Sequence, residues 1–227
     1  MNLIDIKDFS FKDTDTIFFN LNLKIDDNSF FIVVGPNNSG KTTLLKLLSG
    51  KIKSTINVDD SIFIDKKTMF FSKTVLDELM IYTNSKREAI KYLNIFKLIN
   101  YKDDSPLSIN KENRILLKLI ITLMKKPKLI LIDNIFSSFS KEQKKKVINT
   151  LNNLSKENKF AVIYTSNNLN DSIYFDNLFM INNNTLSNEV PQSLSLPFTI
   201  ELSEKLLLYG LIKEEEYDLE ELARKLC

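Results

Sequence analysis

The stretch VVGPNNSGKTTLL at 33–45 constrains the fold of this chain more than any other feature. An apolar run leads into Gly35, and Gly40, Lys41 and Thr42 precede leucines at helical spacing. A turn of this kind between a strand and a helix surrounds phosphate groups with backbone N–H groups. The whole chain has only 4 glycines, so two in one short loop argue against a chance match. The stretch predicts a nucleotide-binding loop.

We expect different residues of this loop to contact different parts of Mg-ATP. Gly40 lets the backbone approach a phosphate oxygen, Lys41 supplies a positive charge, and the Thr42 hydroxyl can ligate Mg²⁺. Asn38 stands where glycine is common, and asparagine tolerates left-handed backbone better than most residues. The predicted nucleotide-binding residues of the loop are Gly35, Asn37, Asn38, Ser39, Gly40, Lys41, Thr42 and Thr43.

A second apolar run, KLILID at 128–133, ends in a carboxylate. Alone, this run would suggest a core strand followed by a turn. Together with the loop at 35–42, it predicts that Asp133 supports Mg²⁺ alongside Thr42. The next residue is Asn134, whose amide cannot accept a proton from an attacking water.

Predicted strands and helices alternate along the chain. Apolar runs predict strands at 3–11, 17–25, 30–34, 61–64, 128–133, 160–165 and 177–182. Helical patterns occur at 42–50, through most of 74–125, at 141–157, and in two short tail segments at 199–210 and 218–226. Strands that are apolar throughout and separated by helices predict an α/β fold with a mainly parallel sheet covered on both faces. Together with the nucleotide-binding loop at 35–42, this predicts a P-loop NTPase. The KKK run at 144–146 is interpreted as a solvated helix face.

Composition excludes several classes of function. The 31 basic and 29 acidic residues give a net charge of +2, which offers no argument for nucleic-acid binding. The single cysteine, Cys227, allows no disulfide within the chain. We expect no secretory signal and no membrane-spanning segment, because no apolar run is long enough. The sequence contains no histidine, the commonest general base near pH 7.

The segment PLSINKENRILLKLIITLMKKPKLILID at 106–133 resembles the part of ATP-binding cassette (ABC) ATPases that runs from the signature sequence to the Walker B strand. The residues that follow this pattern are Leu107, Ser108, Arg114, Pro127 and Asp133. The resemblance extends over roughly 1–182 and implies an ABC ATPase domain at 1–185, with a helical subdomain at about 74–125. It also implies that Ser108 meets the γ-phosphate of a nucleotide held by a partner subunit.

The tail at 196–227 and the segment FFSKTVLDEL at 70–79 are similar to energy-coupling factor (ECF) transporter ATPases. This resemblance implies a C-terminal helical extension at 186–227. It implies a cytoplasmic subunit, peripheral to the membrane, that dimerises with a second ATPase and drives a transmembrane coupling protein for vitamin or metal-ion uptake. The docking groove is expected near 64–80, where Met69, Phe70 and Phe71 are either apolar contacts or core residues.

The sequence departs from the family pattern at residues that carry chemistry. Asn134 stands at the catalytic glutamate position and Ser166 at the switch-histidine position. Neither Ile64 nor Asp65 is the expected Q-loop glutamine, and Ser140 replaces the D-loop aspartate. We therefore assign no catalytic residue.

The signature and the adenine contact also depart from the pattern. The signature reads LSINK, in which Ile109 and Asn110 replace two glycines and are expected to obstruct close backbone approach. The adenine-stacking aromatic expected near Asp13 is missing, although Phe11 lies two residues away.

These departures predict a subunit that binds Mg-ATP, hydrolyses little of it, and forms a heterodimer with a competent ATPase subunit. A standalone regulatory or structural nucleotide-binding module derived from an ABC ATPase is the alternative. A nucleotide kinase is disfavoured, because arginines for a lid occur only at 87, 114 and 224.

Overall fold

A six-stranded sheet forms the centre of the protein in the computed structural model, which describes residues 2–12, 17–182, 185–187 and 198–213. The strand order is β4-β5-β6-β3-β7-β8, and all neighbours are parallel except β8, which is antiparallel to β7. β1 and β2 form a separate antiparallel pair. The strands are β1 (Asn2–Lys12), β2 (Ile17–Asp26), β3 (Phe30–Val34), β4 (Ser61–Ile64), β5 (Leu129–Asp133), β6 (Ala161–Ser166), β7 (Asn177–Asn182) and β8 (Thr185–Ser187). The predicted α/β fold with a mainly parallel sheet is confirmed.

Five described helices lie in the connections between the strands, and a sixth follows the last described strand. They are α1 (Lys41–Leu48), α2 (Val75–Met80), α3 (Lys86–Ile95), α4 (Lys111–Met124), α5 (Lys141–Asn158) and α6 (Phe198–Leu208). Short 3-10 turns lie at 99–101, 135–138 and 169–174. The helices α2 to α5 each begin after a side chain that accepts a hydrogen bond from a backbone N–H of the first turn, which fixes where the helix starts. The predicted helical region at 74–125 is therefore three helices with breaks.

Two apolar clusters cover the two faces of the sheet. Alternate residues of β3 point to opposite sides, so Phe30 and Ile32 pack in the cluster with α4 and α5. Phe31 and Val33 pack in the other cluster, with α1 and the β1–β2 pair. The sheet is thus held rigidly from both sides, and its carboxyl edge can carry loops in defined positions.

Two expectations about side-chain burial are wrong. The solvated face expected at 144–146 is wrong for Lys144, whose side chain is 12% exposed and pairs with Asp171, whereas Lys146 is exposed. Ile109 is 4% exposed and packs in the core, so it does not project from the signature segment. The short strand β8 was not predicted from the sequence.

The tail is described only in part. The first predicted tail helix corresponds to α6, whose Leu206 packs against Ile212. The second predicted tail helix, Asp13 and Cys227 lie outside the described residues. Within the described ranges, no helix has both the length and the apolar character needed to cross a membrane.

Candidate nucleotide-binding site

An open cleft of about 830 Å³ lies at the carboxyl edge of the parallel sheet. Parallel pairing brings Val34 beside Ser166 and Asp133 beside Thr165, so the loops after β3, β5 and β6 meet at this edge. The cleft is lined by Asn37, Asn38, Ser39, Gly40, Lys41, Thr42, Thr43, Asp65, Lys66, Lys67, Asp133, Asn134 and Asn167. In open parallel sheets this edge is the usual place for a ligand.

The loop after β3 has the backbone that the sequence predicts. Asn38 has φ 62° and Gly40 φ 96°, both in the left-handed region. Gly35 is required for space, since a β-carbon there would lie 2.7 Å from Ser39 Oγ and 2.8 Å from the Ile181 carbonyl oxygen. The loop consequently turns tightly and directs the N-terminal N–H groups of α1 into the cleft.

Lys41 lies inside the loop, with 7% of its surface exposed. Its ammonium donates to the carbonyl oxygens of Gly35 (2.8 Å) and Pro36 (2.6 Å). Burial lowers the pKa of Lys41, and the negative charge of Asp133 opposes that shift. A buried ammonium held by neutral carbonyls gains a stronger, charged acceptor when a phosphate group enters the cleft.

Thr42 and Asp133 meet across the cleft floor. The Thr42 hydroxyl donates to Asp133 Oδ2 at 2.8 Å, and the Thr165 hydroxyl donates to Asp133 Oδ1 at 2.9 Å. The two hydroxyls fix the orientation of the carboxylate. The structure therefore brings together the two residues predicted to bind Mg²⁺.

The donor set fits Mg²⁺. A hydroxyl and a carboxylate are hard oxygen ligands, and Mg²⁺ commonly takes one or two carboxylates and completes its shell with water and substrate phosphates. Among the described residues, no group of three or more His, Cys, Asp or Glu could enclose a metal ion.

The positions expected to hold catalytic groups carry neutral side chains. Asn134 lines the cleft in left-handed backbone, with φ 47°. Ser166 is 2% exposed and points away from the cleft, because its hydroxyl donates to Asp171 Oδ2 at 2.6 Å. Neither side chain can act as a general base near neutral pH.

Asp65 forms one wall of the cleft and is tied to α4. Lys118 Nζ donates to Asp65 Oδ1 at 2.9 Å and to the Asp65 carbonyl oxygen at 2.8 Å, and also to the Lys67 carbonyl oxygen. Burial raises the pKa of Asp65, but the hydrogen bond and charge of Lys118 outweigh it, together with the backbone N–H of Lys67 and the charge of Lys51, and hold the pKa of Asp65 below its usual value. The ion pair joins the cleft wall to the helix that follows the signature segment.

The signature segment lies outside this cleft. Ser108 is exposed and donates to the Ser105 carbonyl oxygen at 2.9 Å. Asn110 caps α4 by accepting a hydrogen bond from the Asn113 N–H at 2.8 Å. Ser108 therefore does not line the chain's own cleft, and its predicted contact with a partner's nucleotide stays a prediction.

Sequence reasoning missed several residues around the cleft. Lys118 left a visible signal, because it interrupts the apolar run at 115–124. The pairs Lys144–Asp171 and Asn37–Asn167 left none, since the partners are separated by 27 and 130 residues. Phe11, suggested as an adenine contact, is half-buried and packs against the cluster around α1.

A profile of the ABC transporter family matches residues 18–137, which include both the phosphate loop and Asp133. The chain belongs to the ABC transporter family. ABC ATPase domains bind ATP or ADP, and the chain is therefore a nucleotide-binding domain of this family.

Individual relatives agree with this membership. The cytochrome c biogenesis ATP-binding export protein CcmA of Reclinomonas americana is 33% identical over 132 residues, 47% of this chain and 60% of that protein. The matched residues cover between 52% and 61% of three such curated relatives.

The fold is also found in solved ABC proteins. An inward-facing transporter suggested to be of the metal-chelate type has TM-score 0.71 and 20% identity, covering 91% of this chain and 88% of that one. The ATP-binding cassette MJ0796, a dimer with ADP and Pi, has a TM-score of 0.65 and 17% identity. The match covers 82% of this chain and 97% of that one.

Proposed function

We propose that this ABC domain binds Mg-ATP in the cleft at the carboxyl edge of the sheet and hydrolyses little of it. The observation that carries the proposal is the 2.8 Å hydrogen bond from Thr42 to Asp133, in a cleft whose Asn134 offers no base. The groups proposed to bind phosphate and Mg²⁺ lie together in the cleft, whereas the position expected to hold a proton acceptor carries a neutral side chain.

Each part of the cleft has a separate role in the proposed binding. The N–H groups of the loop and of α1 surround the β- and γ-phosphates, and Lys41 adds a positive charge. Thr42 and Asp133 hold Mg²⁺, which supplies charge neutralisation between the phosphates. The remaining proposed contacts are Gly35, Asn37, Asn38, Ser39, Gly40 and Thr43.

Slow hydrolysis follows from the groups at the edge of the cleft. The amide of Asn134 cannot take a proton from water, and the chain has no histidine to replace it. Loss of a general base alone costs about 10²–10⁴ in rate. Nucleotide binding and hydrolysis are thus expected to be separable in this subunit.

Calorimetric titration with Mg-ATP and a steady-state ATPase assay test this on the purified chain. We expect binding that Lys41→Ala weakens by at least about tenfold and that Lys53→Ala, an exposed lysine outside the cleft, leaves unchanged. Turnover of about one per second without a partner would contradict the proposal. Asn134→Glu is the matched variant for the ATPase assay, because it restores a carboxylate at the position of the missing base.

We further propose that the chain is an ATPase subunit of an ECF-type transporter for vitamins or metal ions, cytoplasmic and peripheral to the membrane. The tail sequence at 196–227 supports this, as does the dimeric cassette among the related folds. In an ABC dimer each nucleotide lies between one subunit's phosphate loop and the other's signature segment. A heterodimer would leave a competent partner's own base beside the partner's nucleotide, whereas a homodimer would lack a base at both sites.

The proposed docking surface for the membrane subunit is the loop around Met69 and Phe71. These side chains are 76% and 74% exposed, whereas Phe70 packs against the core. Glu78, which is fully buried, positions the loop because its Oε2 accepts from the N–H groups of Phe71 and Ser72, both at 2.8 Å. An apolar pair held on a fixed loop is suited to an apolar helix of a partner.

Affinity isolation of the chain from its native membranes tests the assignment. We expect a second ATPase and a multi-helix membrane protein to co-purify, and Phe71→Asp to lose the membrane protein while keeping the free energy of unfolding. Phe70→Asp is the matched variant and should lose stability instead. Complete complex formation by Phe71→Asp would contradict the docking surface. Isolation of the chain alone would favour the standalone nucleotide-binding module.

A further inference from the structure

The loop after β6 presents two consecutive side chains, Ser166 and Asn167, on opposite sides. The Ser166 hydroxyl donates to Asp171 Oδ2 at 2.6 Å and accepts from the Asn168 N–H at 3.0 Å. Ser166 is only 2% exposed. Both hydrogen-bonding functions of its hydroxyl are used away from the cleft, so Ser166 is not a contact for a ligand there.

Asp171 keeps Ser166 in this orientation. Asp171 is 4% exposed, and its other oxygen accepts from Lys144 Nζ at 2.7 Å. Rotation of Ser166 toward the cleft would remove a donor from a buried carboxylate, which is unfavourable. The inward position of Ser166 is therefore stable.

Asn167 points the other way, into the cleft. Its Nδ2 donates to Asn37 Oδ1 at 2.6 Å, linking the loop after β6 to the phosphate loop. Asn37 follows Pro36, whose carbonyl oxygen accepts from Lys41 Nζ at 2.6 Å. Because the lysine of such a loop reaches the β- and γ-phosphates, we expect the Asn37–Asn167 pair to lie near the terminal phosphate of a bound nucleotide.

We propose that Asn167, positioned by Asn37, contacts the terminal phosphate of the bound nucleotide and makes the cleft distinguish ATP from ADP. The inference rests on the proposed nucleotide binding. A carboxamide nitrogen carries two N–H groups, of which Asn37 accepts one. A hydrogen bond from the amide to a charged phosphate oxygen is stronger than one to a neutral acceptor. ADP lacks the terminal phosphate and cannot form this contact.

The test measures the affinities for Mg-ATP and Mg-ADP by calorimetric titration of the full chain. We expect wild type to prefer ATP, and Asn167→Ala to lower the affinity for ATP about tenfold while changing that for ADP less than about twofold. Asn167→Asp should lose more ATP affinity than Asn167→Ala, because it places a negative charge beside the phosphate. Asn37→Ala, which removes the residue that positions Asn167, should also lower the ratio of ATP to ADP affinity.

Two control variants separate this contact from a general effect on folding. Asn170→Ala, in the same loop but outside the cleft, should leave both affinities unchanged. Ser166→Ala should lower the free energy of unfolding and preserve the ratio of ATP to ADP affinity. Equal losses for both nucleotides in Asn167→Ala, no preference for ATP in wild type, or loss of the ratio in Ser166→Ala would each overturn the inference. Failure of wild type to bind either nucleotide would instead overturn the proposed nucleotide binding itself.

Discussion

Thr42, the second residue of α1, donates its hydroxyl to Asp133, the last residue of β5, over 2.8 Å. The two residues are 91 positions apart in sequence. The contact forms because β5 and β3 flank β6 in the parallel sheet, which brings their carboxyl ends to the same edge. It is the structural basis of the proposed Mg²⁺ site.

Asp133→Asn should weaken nucleotide binding mainly when Mg²⁺ is present. The amide keeps an oxygen for Thr42 but loses the negative charge that attracts the cation, so we expect a loss of about 10–100-fold in Mg-ATP affinity. Titrations of ATP with Mg²⁺ and with EDTA measure this, and Asp59→Asn, an exposed residue outside the cleft, is the control. An equal loss under both conditions would contradict a role in binding Mg²⁺.

Gly35→Ala should destabilise the domain and impair nucleotide binding together. Its β-carbon would lie 2.8 Å from the backbone oxygen of Ile181, which belongs to the sheet and cannot move easily. We expect a loss of about 1–3 kcal/mol in the free energy of unfolding, measured in urea. Gly50→Ala is the control, because its φ of 69° causes strain far from the cleft. If Gly35→Ala bound Mg-ATP as well as Gly50→Ala does, the tight loop would not be needed for binding.

Lys144→Met should strongly destabilise the domain. The Lys144 and Asp171 side chains are 12% and 6% exposed, so the variant would leave a buried carboxylate without its cation. Breaking such a pair costs about 3–5 kcal/mol in the free energy of unfolding. The exposed neighbour Lys146→Met should change it by less than about 0.5 kcal/mol. Similar unfolding curves for the two variants would show that the pair contributes little.

The Asp65–Lys118 pair should stabilise the fold in a pH-dependent way. The pKa of Asp65 is lowered in the folded state, so the carboxylate contributes stability above its unfolded pKa, and this is lost as pH falls through the folded pKa. We expect the difference in unfolding free energy between wild type and Asp65→Asn to be largest at pH 7 and to shrink below about pH 4. Urea titrations across this range measure it. A difference that is constant with pH, or unchanged by Lys118→Met, would contradict the role of the ion pair.

Local sequence patterns predicted the elements and the phosphate loop well. Residues 33–45 form strand, loop and helix as expected, and Asn38 adopts the left-handed backbone that its position suggested. These features depend on neighbours in sequence, on apolar spacing and on intrinsic backbone preference. The contact between Thr42 and Asp133 could also be anticipated, because parallel strands bring their carboxyl ends to one edge.

The amino-acid sequence by itself determined that the chain is an α/β nucleotide-binding domain and that Asn134 stands where a base is expected. Only the tertiary structure decided which polar side chains meet. Ser166 turns away from the cleft to Asp171, and Asn167 turns into the cleft to Asn37. Lys118 reaches Asp65 from α4. These pairings depend on how distant segments pack, since the apolar core sets the distances between them and buried polar groups must then find partners within reach.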